Sequence, residues 1–228
     1  NIGGRYSALS YFGLAPAALV GVDIAELLER AGVAAANARL CHAEAIGDNH
    51  AAQLGATLGR LALAGRDKVT IITSPILASF GDWAEQLIAE STGKEGKGIV
   101  PVVGEPPATP ETYGSDRLFV QLRLEGDRSG DTFADAMAQA GHPLVTIRLS
   151  DVYDIGGQFF VWEMATAVAS YFLGINPFDQ PNVEAAKVKA REIVAEYGTR
   201  GILPAGDFAP LEPAALRAFL DHAQPGDY

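Results

Sequence analysis

Apolar and polar positions change their period several times along this chain, and each change predicts an element. Residues Ser7 to Val20 are small and apolar and read as a helix, broken or kinked at Pro16. Asp23 stands where an N-cap belongs, ahead of the amphipathic stretch Ile24 to Arg30, which predicts a second helix ending near Gly32. Asn49 heads a third helix, His50 to Leu63, stopped at Gly65. Lys68 to Ser74 (KVTIITS) is a β-branched run bounded by turn residues, the pattern of a buried strand. In Phe80 to Glu90, Trp83, Leu87 and Glu90 recur at spacings of four and three, which places them on one side of a helix. Further strands are predicted over Gly98 to Val103, Arg117 to Leu124 and Pro143 to Leu149, with a helix over Asp131 to Ala140. Gly156 to Leu173 is apolar enough for a long buried helix, and Asn182 to Tyr197 makes the last helix of the body.

Strands alternating with helices predict an α/β fold. It is a three-layer sandwich, flavodoxin-like, with a mainly parallel central sheet flanked by helices. Ligands on such sheets gather at the carboxyl ends of the strands. Between Gly104 and Gly114 the prolines Pro106, Pro107 and Pro110 mark a loop. After residue 200 the texture changes, with Gly201, Pro204, Gly206, Pro210 and Pro213 in close succession. One short helix fits there, with Leu216, Phe219 and Leu220 on one face. We therefore expect one domain over 1–200, including the helices that precede the first strand, and a connector or extension over 201–228.

Composition narrows the function. Hydrophobic residues make up 48% of 228 positions, enough for a proper core in a soluble domain. No apolar run approaches the roughly 20 residues that span a bilayer. One cysteine, Cys41, excludes an internal disulfide and fits a reducing cytoplasm. The net charge of −11 argues against nucleic acid and requires local cations for any anionic ligand. Glycine-rich dinucleotide and phosphate loops are absent, so no cofactor is expected. His42, His50, His142 and His222 lack metal-ligand spacing, so no metal is expected. Ser7 and Ser10 lack the Gly-x-Ser-x-Gly setting of an acyl-transfer nucleophile.

Three segments hold the candidate chemistry. NIGGRYSALSYFG (1–13) presents Arg5 directly after Gly3 and Gly4, on a backbone that can approach a ligand closely. QLIAESTGKEGKG (86–98) sets Gln86 one turn before Glu90 at a helix end. Proton abstraction beside a carbonyl calls for such a carboxylate, partly withdrawn from water. GINPFDQPNVEAAK (174–187) carries Gln180 and Lys187. Taken singly, Glu90 and Lys187 read as solvated helix residues, and Arg5 is balanced between a surface ion pair and an oxyanion partner.

Together and in this order, the three segments resemble the glucose-6-phosphate isomerase family, in particular its second sugar-isomerase (SIS) domain. The pattern Q-x-x-x-E-S-x-G-K is Gln86, Glu90, Ser91, Gly93 and Lys94 here. F-D-Q-x-G-V-E-x-x-K runs from Phe178 to Lys187, with Asn182 in place of glycine. The resemblance implies that Glu90 moves the proton between C1 and C2, that Arg5 stabilises the enediolate, and that Lys187 assists ring opening. It implies substrate contacts for Gly4, Gln86 and Gln180. It also implies a sugar phosphate substrate, a preceding SIS domain in the same chain that supplies the phosphate pocket, and a homodimer. The closest likeness is to bacterial proteins in which a transaldolase precedes the isomerase. One departure stands out. The family opens the sugar ring with a histidine expected after the second strand, and no histidine lies between His50 and His142. The alternative is therefore a SIS domain that binds a phosphosugar as a sensor without catalysis.

Overall fold

The computed structural model describes residues 4–39, 47, 49–179, 181–203, 206 and 211–224. The chain divides into two compact units, 1–180 and 181–228. The first unit begins with a 3-10 turn, Gly4–Tyr6, followed by helices α1 (Tyr11–Leu19), α2 (Ile24–Asn37) and α3 (His50–Leu63). Strands and helices then alternate: β1 (Lys68–Thr73), α4 (Ala78–Thr92), β2 (Val100–Val103), β3 (Arg117–Leu124), α5 (Asp131–Gln139), β4 (Leu144–Leu149) and α6 (Ile155–Leu173). The second unit contains α7 (Pro181–Arg200) and α8 (Pro213–Leu220). The units divide at 180/181, and the compositional change in the sequence comes twenty residues later.

The sheet is fully parallel in the order β2-β1-β3-β4. Side chains alternate across it. Leu118, Val120 and Leu122 of β3, with Val69 and Ile71 of β1, join one large core built with α3, α4 and α6. Phe119 faces the other way into a smaller cluster with Tyr113 and Met137 of α5. A helical layer therefore covers each face, as the alternation of strands and helices predicts.

The caps stand where the sequence placed them. The Asp23 carboxylate accepts from the amides of Ala25 and Glu26, and the Asn49 side chain accepts from the amide of Ala52. α2, however, runs past Gly32 to Asn37. The alanines after Gly32 offset its cost of about 1 kcal/mol, and Leu27 and Ala31 are buried on this helix. Gly156 and Gly157 begin α6 against the backbone of α2 at Leu27 and Arg30, where a Cβ on Gly156 would collide. The pair thus serves helix-on-helix contact rather than packing on the sheet.

Candidate active site

Two helix ends and one tight turn build the site. α6 ends at Gly174, whose φ of 66° is the left-handed cap that lets the chain leave the helix. Lys97 donates from Nζ to the carbonyl of Leu173 at 2.8 Å, meeting the negative end of α6 with a cation. Lys94 and Lys97 flank a turn closed by Lys94 N–Lys97 O (3.2 Å) and Lys97 N–Lys94 O (3.0 Å). Its central residues, Glu95 and Gly96, have φ of 58° and 70°, as a two-residue hairpin turn of the I′ class requires. Lys97 is thereby directed at the last residue of α6 and Lys94 at the segment that follows it.

Arg5 is the centre of the arrangement. Its residue is 1% exposed. Nε donates to Ser91 Oγ at 2.8 Å and Nη1 to Glu90 Oε2 at 3.2 Å. Nη2 donates to the carbonyls of Pro177 at 2.7 Å and Asp179 at 3.3 Å. A guanidinium has five N–H donors, and these bonds use four of them, while Tyr6 is a further hydrogen-bonding neighbour of the group. Tyr6 Oη lies 3.0 Å from Ser91 Oγ, and the Arg5 guanidinium stands 5.3 Å from the centre of the Tyr6 ring. Burial pushes the Tyr6 phenol up from its ordinary value, against the lowering effect of Ser91 and Arg5. The 3-10 turn that carries Arg5 is closed by Ser7, whose Oγ donates to the carbonyl of Gly4 at 2.7 Å.

Glu90 is one-third exposed. Gln86, one turn earlier on α4, donates from Nε2 to Glu90 Oε1 at 3.0 Å. Each carboxylate oxygen thus has its own donor, Gln86 on one and Arg5 on the other. Lys94 is buried and donates to three acceptors: the carbonyls of Asn176 (2.7 Å) and Asp179 (2.8 Å), and Asp179 Oδ1 (2.7 Å). Arg5, Lys94, Glu90 and Asp179 form a cluster of two cations and two carboxylates. A buried guanidinium persists because its partners replace water.

The structure therefore brings Arg5, Gln86 and Glu90 together, with Gly4 exposed beside Arg5. Gln180 lies outside the described residues. Lys187 is an exposed residue of α7, in the second unit. Ser91, Lys94 and the carbonyls of 176–179 were not singled out from sequence as site residues. These candidate residues lie toward the opposite end of the strands from the carboxyl ends at which ligands on such sheets gather. α4 returns antiparallel to β1, so Glu90 stands beside the amino end of β2, not at the carboxyl ends of the strands. His142 packs on Tyr113 and Phe119 in the smaller cluster, with Nε2 3.4 Å from the Pro110 carbonyl. A cavity of about 570 Å³ lies elsewhere, between α3, α6 and the edge strand β4, and none of the candidate site residues lines it. Among the described residues no group of side chains is arranged to hold a metal ion. No helix there is long and apolar enough to cross a membrane.

Comparison with known proteins bears on this geometry. No protein-family profile matches the chain. It is 34% identical to the glucose-6-phosphate isomerase of Rubrobacter xylanophilus, over 82% of this chain and 52% of that protein. The enzyme of the same name from Symbiobacterium thermophilum is 30% identical, over 87% of this chain and 52% of the relative. Proteins named glucose-6-phosphate isomerase are its homologues. The chain spans about half the length of these relatives. Among solved structures, a hypothetical protein from Thermus thermophilus superposes with a TM-score of 0.73 at 25% identity, over 85% of this chain and 56% of that one. A glucose-6-phosphate isomerase from Chlamydia trachomatis superposes at 0.63 with 21% identity, over 96% and 50%, a likeness of fold.

Proposed function

We propose that this chain is the part of a glucose-6-phosphate isomerase that carries the proton-transfer site. The carrying observation is the Arg5–Glu90 pair, made at 3.2 Å by residues 85 positions apart, one from each of two separate motifs. In this reading Glu90 takes the C2 proton of glucose 6-phosphate and returns it to C1, giving fructose 6-phosphate through a cis-enediolate. Gln86 holds the second carboxylate oxygen and contacts sugar hydroxyls. Arg5 offers fixed positive charge to the oxyanion, a preorganised stabilisation that costs no rearrangement during the reaction. Gly4 leaves room for the sugar beside Arg5. Lys187 assists ring opening, and Gln180 lies toward the phosphate.

The phosphate anchor belongs to a preceding SIS domain of the same polypeptide, which also forms a homodimer. Remote phosphate binding orients the reacting carbons. The 228-residue chain by itself is therefore expected to turn over poorly. A transaldolase ahead of the isomerase and a cytoplasmic location complete the proposal. The test is Glu90→Gln in the full-length polypeptide. Exchange of the C2 proton with solvent should vanish while the melting temperature stays close to that of the parent. Retained exchange refutes the assignment. A parent that binds fructose 6-phosphate without exchanging any proton supports the sensor reading instead.

A further inference from the structure

Lys94 has no assigned role in the reaction, yet its ammonium is withdrawn from water and fully engaged. Its three acceptors all belong to the segment 176–179. Arg5 grips the same segment through the carbonyls of Pro177 and Asp179. The Asp179 carbonyl receives both cations, at 2.8 Å from Lys94 and 3.3 Å from Arg5. Two of the four acceptors that fix the guanidinium are therefore backbone atoms in a segment that Lys94 pins from the other side. The remaining two, Ser91 Oγ and Glu90 Oε2, come from the end of α4, and the Lys94 turn follows that helix directly.

We propose that Lys94 is a positioning residue: by holding Asn176 and Asp179 it fixes the carbonyls that aim the Arg5 guanidinium, and so sets where that guanidinium points. The proposal rests on the isomerase reading for its catalytic consequence, but not for the clamp itself. Without the ammonium, Asn176 and Asp179 lose their shared donor and the 176–179 backbone gains freedom. Arg5 then keeps its side-chain partners and loses the fixed carbonyls that define its plane. A donor displaced by a fraction of an ångström serves a transition state poorly while binding of the remote phosphate is untouched.

The experiment uses the full-length polypeptide and two readouts. In steady-state isomerisation of fructose 6-phosphate, Lys94→Met should lower kcat about 30- to 100-fold and leave KM within about threefold. In an Arg5→Ala background the same substitution should add less than about a threefold further loss, because Lys94 acts through Arg5. Losses that multiply in the double variant overturn the proposal. The second readout is the ¹H–¹⁵N signal of the Arg5 Nε–H, assigned by its disappearance in Arg5→Ala. It should be sharp and slow to exchange in the parent, and broadened or lost in Lys94→Met. An unchanged signal overturns the proposal whatever the activity. If Lys94→Met does not fold, Asp179→Ala decides. Asp179 is about half exposed, and its removal takes one of the three Lys94 acceptors. A three- to tenfold drop in kcat and a shifted Arg5 signal are expected there, and no change in either overturns the clamp. A parent without isomerase turnover refutes the functional reading alone, since the Arg5 signal still reports whether Lys94 orders the guanidinium.

Discussion

Glu163 sits on α6, beside the fully buried Trp162 and one turn after Phe159, which meets the Trp83 ring edge-on at 4.8 Å. Its Oε1 is buried with no hydrogen-bond partner among the described residues. Burial pushes its carboxyl up from 4.5 to about 7. Replacing it with glutamine removes the charge and keeps the shape. Below about pH 4.5 the carboxyl is protonated in both folded and unfolded chains, so the two proteins should be equally stable. Between 4.5 and 7 the unfolded chain releases its proton and the folded chain keeps it, so the parent loses stability as pH rises. Above 7 both forms are ionised and the full penalty is present. At 1.36 kcal/mol per pH unit the interval corresponds to roughly 3 kcal/mol, and about half of that after screening at this partly exposed position. Glu163→Gln should therefore gain about 1.5–3 kcal/mol over the parent at pH 8 and nothing at pH 4.5. Urea unfolding at several pH values measures the difference, with tryptophan fluorescence as the signal. Both tryptophans, Trp83 and Trp162, lie in the unit that holds Glu163. Other carboxylates cancel in the comparison. A stability difference independent of pH, or one favouring the parent at pH 8, would refute the reasoning.

Other substitutions test separate parts of the structure. Arg5→Lys keeps the charge but cannot serve Ser91, Glu90, Pro177 and Asp179 from one ammonium; kcat should fall at least about 100-fold in the full-length polypeptide, measured by coupled assay. Gly55→Ala drives a methyl into the Ala165 carbonyl and the Val168 side chain where α3 crosses α6; unfolding free energy should drop by about 1–3 kcal/mol in denaturant titration. Asn49→Ala removes both the cap on Ala52 and the bond from Nδ2 to the Ala38 carbonyl (3.1 Å); a loss of about 1–2 kcal/mol is expected in the same titration. Arg30→Met breaks the bonds to Glu26, Asp151 and Asp154, and because the cluster is solvent-exposed the midpoint of denaturant unfolding should move little, and less still in high salt.

The order of helices and strands was legible because local rules write it into the residues. β3 and α3 begin and end where the pattern places them, since alternation, a cap and a stop glycine are all local signals. The end of α2 was not legible, because Gly32 is a stop only for an isolated helix and this one continues through residues packed on α6. In the candidate site, Arg5, Gln86 and Glu90 were singled out by the resemblance of their motifs; by type and spacing alone Glu90 reads as a solvated helix residue and Arg5 as evenly balanced. Their supports were not singled out. Lys94 reads as one more lysine in a glycine-rich turn, and nothing in its neighbourhood announces acceptors 82 and 85 residues away. The placement of the candidate residues relative to the strand ends was not legible for a related reason. Parallel topology favours the carboxyl ends of strands, and the candidate residues Gln86 and Glu90 stand instead toward the end of α4.

Pro177 contributes to the site through its carbonyl oxygen, and so does Asn176. Any residue that holds the same backbone path supplies the same acceptor. Alanine scanning across 176–179 will therefore understate the importance of this segment, and variation there among relatives will look permissive. The segment is better probed by altering the peptide bond itself. An ester in place of the amide that bears the Pro177 carbonyl weakens that acceptor and removes the Phe178 N–H that donates to Asn176 Oδ1 at 3.0 Å, with every side chain retained. Evolution and mutagenesis both act on side chains, so a cation anchored on main-chain oxygens is buffered against either.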